Sequence, residues 1–496
     1  MRLADKAIFY TFARFSSQAV RILILMVLSR LLSKTDYGSY RQIWLLSGVI
    51  ATCFTLGLPY SCFYFIPRLE KNEQKTFIYQ VLILLSLMGV LVSAGLYLGA
   101  DLFSRMMSNA ELANLIRIYS PAVFASLVNL AFAPILLSID RSGTLGLLMN
   151  VFIVLKSAAT IIPAYGGASL STIFLWIVIS SLVENFTYIW IIWRAFRRVR
   201  MKSTPGLVRK QISFGLPIGF SNIFSAGGRY LDQFAISFFY SPAAFATYAN
   251  GNFELPFVGV ATESVLSVIT PNLVKYWGDG QREQMLNLWH ESIRKIALFM
   301  LPLMSFFLIF SREAIIVLFS SAYVESAQIF RILLLLIPHT CTLYLNIIMY
   351  LGYPKTVMKL TILDNLTTIT LVLILLSVFG YLGPPIAKVV STYGLAILYV
   401  AIIKKKTGVT WAKVYPWFTM FRMIGVSLLL AGLLSPLKLL SLAPFFTLFL
   451  GGSVYVVLIF IGFRKMGLLT PNDIDQIKRW MNPKAVLKLF KKQEAA

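Results

Sequence analysis

Arg14, Arg21 and Arg229 fall inside long apolar runs, where a charge at mid-membrane depth costs a few kcal/mol or more. A cation so placed either pairs with an anion or serves a ligand. The stretch Ala226-Gly-Gly-Arg-Tyr-Leu-Asp-Gln-Phe234 poses both options, because Asp232 lies one helical turn from Arg229 and can neutralise it. Arg14 and Arg21 are seven residues apart, about 20° from one helical face. The guanidinium fork matches phosphate oxygens and keeps its charge, so these three arginines point to a phosphate-bearing ligand. Lys156 and Glu184 sit near mid-depth in neighbouring runs and read as a structural ion pair. Glu254, Glu263 and Asp364 are, with Asp232, the carboxylates that can take up H⁺ or bind Na⁺. Pro217, Gly227, Gly228 and Pro256 are flex points beside them. No metal site is expected. Cys53, Cys62 and Cys341 lack ligand spacing, and His290 and His339 are isolated.

Elements that position such groups must be membrane helices. Of 496 residues, 58% are hydrophobic and 13% charged, with mean hydropathy +0.77. Soluble domains are about a quarter charged. Fourteen runs are long enough to span a bilayer, near 8–32, 42–66, 77–103, 112–138, 144–164, 171–194, 211–239, 243–270, 292–318, 325–351, 356–380, 384–403, 416–437 and 441–463. They are too long, and lack the alternation, for strands. The net charge of +25 reflects loop cations rather than nucleic-acid binding. One side collects the Arg194–Lys210 cluster, Arg282, Lys404, Lys405 and Lys406, while the other is sparse. This bias places both termini in the cytoplasm and suits contact with anionic lipids. No cleavable signal pattern is seen at the N-terminus.

The chain repeats itself. "LSKTDYGSY" (32–40) aligns with "YSPAAFATY" (240–248), an offset that lays Arg21 on Arg229. Ala113, Arg117 and Ile118 align with Ala327, Arg331 and Ile332, and Pro67 more loosely with Pro271. The expected architecture is all-α and polytopic, with about 14 transmembrane helices. Two parallel six-helix repeats form an N-lobe (1–205) and a C-lobe (206–407), followed by two extra helices (408–466). A basic amphipathic tail (467–496) lies on the cytoplasmic surface. Thr470 is its N-cap, Pro471 stands at N1 and Asp473 at N3.

Two lobes meeting at an axis leave a cavity, and arginines lining it suit a molecule with an anionic head and a greasy tail. The 6 + 6 + 2 layout resembles the polysaccharide transporter family of the multidrug/oligosaccharidyl-lipid/polysaccharide exporter superfamily. The resemblance is carried by "LSRLLSKTDYGSY", "GLPIGFSNIFSAGGRYLDQFAISFFYSPAAFATYANG" and "SREAIIVLFSSAYVESAQIFRILLLL", and covers about residues 5–410. Ala246 departs from the pattern, where glycine is usual. The resemblance implies a flippase, not an enzyme, moving undecaprenyl-pyrophosphate-linked oligosaccharide (O-antigen, capsule or exopolysaccharide units) to the outer leaflet of the bacterial cytoplasmic membrane. It implies alternating access, coupling to H⁺ or Na⁺, no other cofactor, and a monomer beside glycan polymerase and chain-length machinery. The related lipid II flippases carry functional arginines in the first span, which Arg14 and Arg21 match in place. The rival readings are a lipid II-type flippase and a cation-coupled multidrug exporter. The exporter wants an acidic or apolar cavity. A membrane polymerase wants a large external loop and an acyltransferase a paired His, and the sequence offers neither.

Overall fold

Ser33 ends one helix and starts the next. Its hydroxyl accepts from the Asp36 N–H at 3.0 Å, capping α2 (Lys34–Cys53) just after α1 (Leu3–Leu31) stops. The structure, a computed structural model, describes residues 3–202 and 205–475. Side chains are described from Ser16 onward, except those of Ser225, Pro256, Phe257, Val260 and Ala261. Among the described residues every regular element is helical.

The packing divides the chain into two compact units, Met1–Ala249 and Asn250–Ala496. In the first, α2 is followed by α3 (Leu58–Phe65), α4 (Lys71–Leu98), α5 (Ala100–Met106), α6 (Leu112–Ser138), α7 (Ser142–Tyr165), α8 (Leu170–Phe196), α9 (Leu207–Phe239) and α10 (Pro242–Gly251). Leu58, Cys62, Phe77, Val81, Ile135 and Tyr188 form its core, where α3, α4, α6 and α8 meet. The outward faces are apolar too, as at Leu91, Val154, Ile162 and Phe186. Apolar residues on both faces of a helix belong to a lipid-facing protein.

The second unit continues with α11 (Pro256–Gly278), α12 (Arg282–Ile309), α13 (Ser311–Phe319), α14 (Ser326–Leu334), α15 (Ile337–Thr340), α16 (Tyr344–Tyr350), α17 (Pro354–Phe379), α18 (Gly383–Thr407), α19 (Trp411–Val414), α20 (Trp417–Leu433) and α21 (Pro444–Lys465). The two added helices, α20 and α21, pack on α12 and α13 through Phe306, Phe310, Ala431, Leu434 and Tyr455. Lys438, between them, reaches Glu313 at 3.6 Å.

The repeat is visible helix by helix. Ser241 Oγ accepts from the Ala244 N–H at 3.3 Å and starts α10, as Ser33 starts α2. The helices α4 and α12 are both 28 residues long, and short helices α5 and α13 follow them. On the next helix, Arg117 reaches back to Asp101 on α5 at 2.6 Å, and its counterpart Arg331 reaches back to Ser311 on α13. The pairs α7–α8 and α17–α18 complete the two copies.

Three features depart from the expected spans. Among the described residues, nine segments are long and apolar enough to cross a membrane, or ten if the bent α2–α3 pair, at 45°, is one span. The count of fourteen is not confirmed. The long helices α1, α9 and α11 stand outside those nine, and they carry Arg14, Arg21, Arg229, Asp232 and Glu263. Second, the eighth run breaks at Asn252–Leu255, because Leu255 precedes a proline and takes an extended backbone. Pro256 therefore opens a helix rather than flexing one. Third, the tenth run is three short helices, where the first copy has the single helix α6. Pro338 lacks an N–H there, and Leu343 is left-handed at φ 56°. Side chains satisfy the freed carbonyls: Trp289 Nε1 donates to Thr342 O at 2.8 Å and the Tyr393 hydroxyl to Leu335 O at 2.6 Å.

The packing boundary lies beyond the repeat boundary near residue 205. The cause is α9, which lies along α2 and α3 at glycine contacts. Gly57 needs φ +67°, and a Cβ on it would stand 2.3 Å from Gly215 O. A Cβ on Gly219 would stand 2.9 Å from Leu56 Cα.

At the other end of the chain, Thr470 caps the tail helix. Its Oγ1 accepts from the Asp473 N–H at 3.3 Å, and the Asp473 carboxylate accepts from the Thr470 N–H at 2.8 Å. The tail beyond Asp475 lies outside the described residues.

Candidate substrate-binding site

The cationic candidates sit on the two polar first helices of the repeats. Arg21 on α1 and Arg229 on α9 are exposed, each ten residues before its helix ends at Leu31 or Phe239. The side chain of Arg14 lies outside the described residues. The helix α9 runs through Pro217, Gly227 and Gly228 without a break.

Among the described residues no ion pair joins Asp232 to Arg229. Asp232 is buried and accepts from the Tyr248 hydroxyl of α10 at 2.8 Å, while Arg229 points to the exposed side. The hydroxyl that meets this carboxylate comes from the next helix rather than from the same one.

Lys156 on α7 forms an ion pair with Glu184 on α8. Asn129 Nδ2 donates to the same carboxylate at 3.0 Å, and Asn185 Nδ2 donates to Asn129 Oδ1 at 3.2 Å. Every polar group in this chain of contacts finds a partner, which is what makes such a network tolerable in an apolar core. Asp364 on α17 accepts from Ser391 Oγ of α18 at 3.2 Å, and Thr368 Oγ1 donates to Ser391 Oγ at 2.9 Å. Thus each repeat joins its fifth and sixth helices by a polar contact. Glu254 lies exposed in the break before α11, and Glu263 lies exposed on α11. No group of three metal-ligating residues occurs among the described residues.

A second polar cluster escaped the sequence reading. Gln42 Nε2 on α2 donates to Ser237 Oγ on α9 at 2.8 Å and to Met107 O at 3.0 Å. Asn109 Nδ2 donates to Gln42 Oε1 at 2.6 Å and to Ser39 Oγ at 2.8 Å. One residue away, Arg41 Nη2 donates to Ala249 O at 2.9 Å. The backbones close up beside them, since a Cβ on Gly38 would stand 1.9 Å from Pro242 O. The available signal was polar residues at the end of an apolar run, within the motif that marks the repeat.

Comparisons with known proteins bear on the family and the fold. Residues 27–328 match the polysaccharide biosynthesis protein family. No curated protein matches the sequence. The lipid II flippase MurJ, in an inward closed conformation, shares the fold at a TM-score of 0.71 and 16% identity, covering 92% of this chain and 99% of its own. An inward-facing multidrug resistance MATE family transporter of the MOP superfamily has a TM-score of 0.61 at 16% identity, over 79% of this chain and 94% of its own. A MOP superfamily transporter from Pyrococcus furiosus, described as having a binding pocket of reverse polarity, has a TM-score of 0.54 at 16% identity, covering 82% and 95%. The chain belongs to the polysaccharide biosynthesis protein family and is a multi-pass membrane protein with the transporter fold of MurJ and the MATE proteins.

Proposed function

We propose that this protein is a flippase for undecaprenyl-pyrophosphate-linked oligosaccharide, carrying it from the cytoplasmic to the outer leaflet by alternating access of two six-helix lobes. The observation that carries the reading is the placement of Arg21 and Arg229. They occupy equivalent positions on the first helix of each repeat, exposed, on helices less apolar than their neighbours, in a polysaccharide biosynthesis family member. Exposed guanidinium groups at that depth suit a pyrophosphate. The apolar outer surface suits a substrate whose tail never leaves the lipid.

In this reading the protein lies in the bacterial cytoplasmic membrane with both termini inside. A gradient of H⁺ or Na⁺ supplies the energy, and Asp232, Glu254, Glu263 and Asp364 are the coupling candidates. The test is complementation of a panel of flippase-null strains, each making a different surface glycan. Export in one or more strains supports the reading, and failure in all of them removes it. A lipid II-type flippase is the second reading, favoured by the MurJ likeness. Rescue of a strain depleted of its lipid II flippase, with no rescue of glycan export, would select it. Reporter fusions at Ala496 and within 196–210 should both report cytoplasm.

A further inference from the structure

The Nε2 atom of His339 is buried and meets no hydrogen-bond partner among the described residues. Burying a polar atom unpaired is costly, so such an atom calls for a reason. His339 stands on α15, near the middle of the tenth run, where the chain breaks into α14, α15 and α16. The first copy has the continuous helix α6 there. The offset that lays Arg117 on Arg331 lays Ala125 on His339 and Phe124 on Pro338. The second copy alone therefore carries the break and, at it, an imidazole. Transporters built from repeats place substrate and ion sites at broken helices. The neighbours of the ring are other rings: Tyr344 of α16 lies 5.7 Å away, centroid to centroid, and Tyr399 of α18 6.3 Å. Nearby polar groups are engaged elsewhere. Trp289 of α12 and Tyr393 of α18 hold carbonyls of the break, His290 of α12 meets Val414 O at 3.1 Å, and Asp364 of α17 meets Ser391. On α11, which also packs on α15, Glu263 and Lys275 are exposed. Among the described residues no ion pair involves His339. A proton on the ring in this conformation would be a charge at membrane depth, paired with none of these groups.

We propose that His339 binds a proton that couples transport, in a conformation that opens the break to water, and that packing the break as in this structure releases it. The proposal rests on the flippase reading, in which an ion gradient supplies the energy. Imidazole is the side chain that takes and gives a proton near neutral pH. Where the ring meets water it takes a proton from water. Where the three short helices close around it, the imidazolium has no partner and returns the proton to water first. A ligand shifts an equilibrium only towards the state that binds it better, so protonation drives the tenth run away from the packing seen here. His339 thus adds to the candidate carboxylates a coupling group of the opposite kind, charged when loaded and neutral when empty.

The chain has 2 histidines, so the ring can be watched directly. The full chain, carrying carbon-13 at histidine Cε1 and no histidine tag, is placed in nanodiscs of phosphatidylethanolamine and phosphatidylglycerol. Magnetic resonance should show an imidazole signal from each histidine, and His290→Gln should remove one and so assign the other. As the pH falls from about 8 to about 5, the neutral-ring signal of His339 should give way to a charged-ring signal. A His339 signal that stays neutral throughout overturns the proposal. The second readout uses liposomes that enclose a pH-sensitive dye. Lipid-linked oligosaccharide extracted from a rescued strain should drive proton movement through the wild type and His290→Gln, and severalfold less through His339→Gln. Equal proton movement through His339→Gln, or none through the wild type, also overturns it. If the ring titrates but no flippase-null strain is rescued, the flippase reading falls and the proton site stands. If strains are rescued while the ring stays neutral, the proton site falls and the flippase reading stands.

Discussion

Arg41 on α2 donates a 2.9 Å hydrogen bond to the carbonyl of Ala249, the residue 208 positions later that is its own counterpart in the repeat. Equivalent positions of two copies thus touch directly, one residue from the buried network of Gln42, Ser237 and Asn109. A hydrogen bond from a charged group contributes about 1.5–3 kcal/mol. Arg41→Ala should lower the thermal midpoint of the purified protein, and Arg41→Lys should recover only part of the loss. An unchanged midpoint would show that α10 does not depend on this cap.

Arg21→Ala and Arg229→Ala should each reduce glycan export about tenfold or more, the loss of one charge-assisted contact. Lysine at either site should rescue partly, because it keeps the charge and loses the fork. Membrane levels of each variant serve as the control. Normal export from both alanine variants would remove the pyrophosphate site.

The Asp232–Tyr248 contact predicts non-additivity. Tyr248→Phe and Asp232→Leu both remove the same hydrogen bond, so the double variant should be little worse than the stronger single one. Stability of the three variants in detergent tests this. If Asp232 also carries a coupling proton, Asp232→Asn should abolish export while Tyr248→Phe only weakens it.

Lys156→Met should destabilise the protein, because it strands the Glu184 carboxylate against α7. Breaking a buried pair costs about 3–5 kcal/mol, and the effect here should sit at or below the low end because Lys156 is partly exposed. Adding Glu184→Gln should restore most of the loss. Heat-induced aggregation of the single and double variants measures both effects.

The tail clasp predicts a pH dependence. Arg294 on α12 grips Asp473 with two hydrogen bonds, at 2.6 and 3.2 Å. Burial alone would raise the Asp473 pKa, but the bonds from Arg294 and Thr470 outweigh it and hold the carboxyl at about 2. A depressed carboxylate stabilises above its ordinary titration range, near 3.9, and the stabilisation is lost as pH falls from there towards 2. A spin label at position 472 should stay immobile from neutral pH down to about 4 and loosen below it. Asp473→Asn should loosen it at every pH.

Local rules made much of this fold legible. Ser33, Ser241 and Thr470 are capping residues followed three positions on by the N–H they bind, a pattern that needs no tertiary information. The repeat offset was readable because both copies kept the same turn after their first helix. The breaks at Asn252–Leu255 and Leu335–Leu343 were hidden because their residues stay apolar, and a hydropathy window averages across them. The partner of Asp232 was hidden for another reason. Helical spacing says which neighbours a carboxylate can reach along its own helix, but Tyr248 arrives from a different one.

Gly38 and Ala246 stand at equivalent places in the two copies, yet only one of them could be exchanged for the other. A methyl group is accommodated at Ala246, whereas at Gly38 it would collide with the backbone at Pro242. The copies have become lock and key at this point. An alanine written into the first copy would jam the closest approach in the unit, whereas a glycine written into the second would not. Symmetry can return here in one direction only: the second copy can take the first copy's glycine, but the first cannot take the second copy's methyl group.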